Sequence, residues 1–166
     1  PSRDRWHAVV VDMGRSAAPH ARSVSTTTGL GAVVMVVEHT PRTVVFTPPA
    51  RLLSLNDRTH RYTTARLIRA WRRATATAAA EQIDHQLGPC IVQIALPVAD
   101  RRQRDPHNYF ATVKPIVDGL VDAGLWPNDT PTWVTTVEPT LIPPTSRAAR
   151  AFATVTVTLT PRGEQR

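Results

Sequence analysis

The chain of 166 residues contains one cysteine, Cys90, and one lysine, Lys114. A lone cysteine excludes an intramolecular disulfide and suits a reducing cytoplasm. Cys90 stands in the apolar run Cys90-Ile91-Val92, where a small buried thiol is expected rather than a nucleophile. No stretch of about 18 apolar residues is present, so no membrane-spanning helix is expected. Arg3, Asp4 and Arg5 are not followed by the apolar core and small-residue cleavage site of a signal peptide. Gly29-Leu30-Gly31 lacks the third glycine and the following helix of a dinucleotide-binding loop.

Arginine, by contrast, is abundant. All but one of the 20 Lys and Arg residues are arginine, and the net charge is +7. Such a balance favours polyanionic partners, nucleic acid first, although an arginine bias is also what a GC-rich genome produces. Against that background Lys114 stands out. Lysine is a compact point charge with three rotatable donors, suited to a phosphate oxygen or a developing oxyanion; the plain alternative is a solvated face.

Residues 1–42 read as an irregular extension, in part disordered, with two apolar patches, Ala8–Val11 and Ala32–Val37, separated by Ser-, Thr- and Gly-rich sequence without helical period. Organised signals begin at Thr43. Thr43–Thr47 is a β-branched strand ended by Pro48-Pro49. Thr63 to Leu87 carries apolar residues at Leu67, Ile68, Trp71, Ala74, Ala78 and Ile83, the spacing of one helix face; Gly88-Pro89 stops it. Ile91–Val98 is a second strand. Asn108–Ala123 is a second helix capped by Gly124, and Pro115 either marks where the regular helix begins or kinks it. Strands follow at Thr132–Glu138 and Ala151–Thr160, the latter alternating as a half-buried strand does. The expected order is β-α-β-α-β-β: an α+β (or α/β) domain over residues 43–160 with a small mixed sheet and two main helices, then a polar tail, 161–166.

Chemistry concentrates in Asp100-Arg-Arg-Gln-Arg-Asp105-Pro-His107-Asn108, with Lys114, Asp118 and Asn128-Asp129 downstream. Alone, Asp105 before Pro106 also reads as a helix N-cap, and Asp129 as a turn residue. Together, with the loop after Trp126 folded back along the helix, they are suited to hold Mg²⁺, which takes few protein ligands and keeps several waters.

The segment "DRRQRDPHNYFATVKPIVDGLVDAGLWPNDTPTWV" resembles the RusA-like Holliday junction resolvases, whose signature is Asp-x-Asp-Asn, a lysine on the following helix, then Ala-Gly-aromatic-x-x-Asp. The likeness to actinobacterial phage and prophage members is closer, and "TPPARLLSLNDRTHRY" is similar to the family's opening strand and loop. The resemblance implies a homodimeric endodeoxyribonuclease, in the cytoplasm of a bacterial host, that cuts four-way DNA junctions with Mg²⁺ or Mn²⁺. Carried over by position, Asp105, Lys114 and Asp129 are catalytic, and Asp105, His107 and Asp129 bind metal; Asn108, Asn128 and Asp118 support them. Two features depart from the pattern. His107 replaces the second Asp, removing one negative charge and favouring borderline metals such as Mn²⁺. Three extra residues also separate Lys114 from Asn108.

The remaining expectations concern DNA contact. Arg101, Arg102 and Arg104 flank the expected site. Arg66, Arg69, Arg72 and Arg73 line a helix, and Arg58 lies in a polar loop; each is a candidate phosphate contact. The helix arginines read equally as a solvated or internally paired face. The competing function is a catalytically silent branched-DNA-binding protein of the same fold.

Overall fold

The computed structural model describes residues 40–146 and 149–162. The two apolar patches of the extension and the end of the tail lie outside the described residues. Strand β1 (Arg42–Phe46) leads to helix α1 (Arg61–Gln82), β2 (Cys90–Pro97), α2 (Phe110–Asp122), β3 (Val134–Thr136), β4 (Thr140–Ile142) and β5 (Val155–Pro161). Short 3₁₀ turns span Pro106–Tyr109 and Ala149–Phe152.

The mixed sheet and two helices define the expected α+β class. Central β2 pairs antiparallel with β5, and β5 antiparallel with β1. The other edge of β2 carries β3 and β4, both parallel to it. Alternation decides which face of β5 turns inward: Val155, Val157 and Leu159 are fully buried, and each such side chain contributes about 1.5–3 kcal/mol by leaving water. The open edge of β1 is covered by the end of α1, where the Gln82 amide both accepts from Val45 N (2.9 Å) and donates to Val45 O (2.9 Å). That contact stands in for a missing ladder pair and blunts the edge.

Several element boundaries, and the exposure of Ile68, differ from those expected. Helix α1 ends at Gln82, not Leu87: Ile83 takes an extended backbone and drops its side chain into the core. The following loop is then pinned by Leu87 N donating to Leu125 O (2.9 Å). Ile68, expected on the apolar face, is exposed. The expected strand Thr132–Glu138 is shorter, and a further strand, β4, follows it, because Pro139 has no N–H to continue a ladder and the chain leaves the sheet around Glu138. The last strand starts at Val155; Ala151 and Phe152 lie in the 3₁₀ turn, with Phe152 exposed.

Pro115 lies inside α2, whose regular turns start at Phe110. The proline withholds one helical hydrogen bond but is itself buried, as are Val113, Ile116, Val117 and Leu120. Against α1 the fit is close at Gly119, where a Cβ would lie 2.5 Å from Arg72 O. Opposite that contact both Arg72 guanidinium nitrogens Nε and Nη2 donate to the two Asp122 carboxylate oxygens. Among the described residues no helix is long and apolar enough to cross a membrane.

Candidate functional site

Two anchors turn the chain back after α2. Gly124 adopts φ 84°, a conformation that costs glycine little. Leu125 and Trp126 are then buried, and the Trp126 indole donates to Gly88 O (2.8 Å). Next comes a side-chain-closed turn in which Asn128 Oδ1 accepts from Thr130 Oγ1 (2.6 Å) and Thr130 N (3.2 Å). This turn carries Asp129 back to α2. Asn128 is therefore a turn residue, supporting Asp129 through the backbone.

Asp129 meets Lys114, with Nζ 2.5 Å from Oδ2 across 15 residues of chain. The same ammonium donates to Asp118 one helical turn on (2.5 Å). These bonds, from Asp118 and then Asp129, hold the Lys114 pKa above its ordinary value. In return the hydrogen bond from Lys114 holds the Asp129 carboxyl below the usual carboxylate range. At neutral pH the group is a protonated ammonium between anionic oxygens, so Lys114 is a cation there and not a general base.

Asp105 caps the 3₁₀ turn that leads into α2: Oδ1 accepts from His107 N (3.0 Å). The capping role and an exposed carboxylate thus belong to one residue. The His107 ring stacks on Phe110, with centroids 5.8 Å apart, and its Nε2 lies 3.0 Å from Glu138 Oε1. Asn108 O accepts from Leu55 N (2.8 Å), tying the polar loop after β1 to this turn. Buried Thr112 strengthens the tie, its hydroxyl both accepting from Leu53 N and donating to Leu53 O.

The structure brings Lys114, Asp118 and Asp129 together, and His107 to Glu138. It does not group Asp105, His107 and Asp129 as a three-ligand set: among the described residues no three His, Cys, Asp or Glu side chains assemble to hold a metal ion. Hard oxygen donors remain at Asp105 and Asp129. Both carboxylates are exposed, and Mg²⁺ is the kind of ion that takes one or two carboxylates with waters and substrate phosphate.

The arginines divide. Arg104 is only 22% exposed and binds Asp100 Oδ1 (2.7 Å), Asp100 O and Arg102 O, so it shapes the loop. Arg72 is taken by Asp122, which raises its pKa. Arg102, 87% exposed, and Arg101 line an open cleft of about 410 Å³ between the Asp100–Pro106 loop and the Glu138–Pro143 segment. Arg58, Arg66, Arg69 and Arg73 are exposed. Sequence reasoning missed Glu138, Thr112 and Asp122, whose partners His107, Leu53 and Arg72 lie far away in the chain.

No protein-family model and no curated protein matches the chain.

Proposed function

We propose that the chain is a metal-dependent endodeoxyribonuclease of the RusA-like kind, a homodimer that cleaves four-way DNA junctions by phosphodiester hydrolysis. The observation that carries this reading is the return of Asp129 onto Lys114, which joins the lysine and the final aspartate of the resembled motif. The open, arginine-lined cleft beside the Asp105 turn and the net charge of +7 also support it, since phosphate neutralisation dominates affinity for DNA. Paired cuts on two strands call for two sites related by a two-fold axis.

A divalent ion, when bound, supplies a polarised phosphate oxygen and a water of lowered pKa. Asp105 and Asp129 are the carboxylates that would hold it. Lys114 sets a fixed positive charge beside the phosphate, where negative charge develops as the bond breaks. Asp118 keeps that ammonium protonated and aimed. Arg101 and Arg102 hold phosphates along the cleft, fixing register without reading sequence.

A second reading, a silent branched-DNA-binding protein, is favoured by one feature: Lys114 already neutralises Asp129, the carboxylate a metal would use. A labelled four-way junction incubated with Mg²⁺, Mn²⁺ or EDTA separates the two. Metal-dependent paired nicks support the nuclease; equal binding in EDTA and Mg²⁺ without nicking supports the silent binder.

A further inference from the structure

Helix α1 carries five arginines and a single acidic residue, Glu81, near its end. Arg72 is held by Asp122. Arg66, Arg69 and Arg73 are exposed and make no hydrogen bond or ion pair among the described residues. They stand three and four positions apart, one above the other on a single stripe of the helix. Like charges so placed repel, and no carboxylate among the described residues pairs with them. The stripe continues towards the start of the helix to Tyr62, four positions before Arg66 and 64% exposed. At about 1.5 Å per residue, the row from Tyr62 to Arg73 is roughly 16 Å long. Its aromatic end is built of flat groups. The His60 ring is centred 5.2 Å from that of Tyr62, and the Arg61 guanidinium lies 4.9 Å from the Tyr62 centroid. Among the described residues Arg61 has no partner but Tyr62, so another flat group can displace it or slide beneath it.

We propose that this stripe binds an unpaired stretch of DNA strand, with a base stacked on Tyr62 and the neighbouring phosphates on Arg66, Arg69 and Arg73. A basic track that follows one backbone and an aromatic side chain that takes a base face are the two parts of single-strand recognition. In a duplex the bases already stack on one another, so an exposed ring at the end of a phosphate track matches a strand whose bases are open. Every base has such a face, and the site therefore holds a strand without reading its sequence. The inference rests on the nuclease reading only for DNA as the partner. It calls for no metal and no cleavage, and it uses none of the residues of the Lys114 group or of the arginine-lined cleft.

The test is fluorescence anisotropy of the full chain in EDTA with two labelled single strands of about a dozen nucleotides, one oligothymidylate and one abasic. Tyr62→Ala is expected to weaken binding of oligothymidylate by roughly 5–150-fold, the usual effect of losing one base–aromatic stack. It is expected to leave the abasic strand unaffected, and Tyr62→Phe, which keeps the ring, to bind both as the unsubstituted chain does. Replacing Arg66, Arg69 and Arg73 together by Ala is expected to reduce the salt slope by about two units on either strand. Wild-type affinity in Tyr62→Ala, an equal loss on the abasic strand, or an equal loss in Tyr62→Phe overturns the stacking site. An unchanged slope in the triple variant overturns the phosphate track. Failure of the unsubstituted chain to bind oligothymidylate overturns the whole inference, while metal-dependent nicking of a four-way junction would still uphold the nuclease.

Discussion

Lys114 Nζ lies 2.5 Å from Asp129 Oδ2 and equally near Asp118 Oδ1, so one ammonium closes the turn after α2 onto the helix. Both bonds hold its pKa above the ordinary value, and a group so held works as a charge. Lys114→Met is expected to lower single-turnover junction cleavage by about 10²–10³-fold, the usual effect of removing a donor that stabilises developing charge. Lys114→Arg is expected to leave most of the defect, because a planar fork does not replace a point charge between two carboxylates. Wild-type rates in Lys114→Met would contradict this role.

Gly119 tests the helix packing. A methyl group there meets Arg72 O at 2.5 Å and Thr75 Cβ at 2.8 Å, and both belong to a packed helix with little room to yield. Gly119→Ala is expected to destabilise by about 1–3 kcal/mol in urea unfolding, despite the better helix propensity of alanine. Gly88→Ala, with nothing within 4 Å, is expected to stay within about 0.5 kcal/mol of wild type.

The two fates of arginine make separable predictions for DNA binding. Arg102 is 87% exposed on the cleft, and Arg102→Ala is expected to reduce the salt slope of junction binding by roughly one unit. Arg72 is engaged by Asp122, so Arg72→Ala should lower the melting temperature and leave the slope unchanged. Fluorescence anisotropy across a salt series checks both, and a changed slope in Arg72→Ala would return that residue to the DNA surface.

The same pair sets a pH dependence. The hydrogen bond from Arg72 holds the Asp122 carboxyl below its ordinary value. A carboxyl lowered on folding stabilises the protein fully above its unfolded pKa, about 3.9, and loses that contribution as pH falls through the folded value. The stability difference between wild type and Asp122→Asn is therefore expected to be constant from about pH 8 to pH 5 and to shrink below about pH 4. A difference that grows on acidification would contradict the assignment.

Much of the frame was legible in the sequence because periodicity reports burial. The alternation of Val155, Val157 and Leu159 and the apolar run from Cys90 identified the central strands, and Gly124 identified the end of α2. What escaped depended on partners distant in sequence. Nothing local to Gln82 indicates that its amide would complete the edge of β1 and end α1 there. Nothing local to Arg72 distinguishes it from Arg69 until Asp122 lies opposite. In the candidate site Asp105, Lys114 and Asp129 stood out through motif spacing. Glu138 did not, because its approach to His107 joins segments distant in sequence.

Cleavage of a labelled four-way junction by the wild-type chain and by Asp105→Asn, each with Mg²⁺, Mn²⁺ or EDTA, tests the central claim most directly. The account predicts paired, symmetric nicks from the wild-type chain in metal, none in EDTA, and none from Asp105→Asn. Nicking by Asp105→Asn at the wild-type rate, or tight junction binding without nicks under every metal, would contradict it.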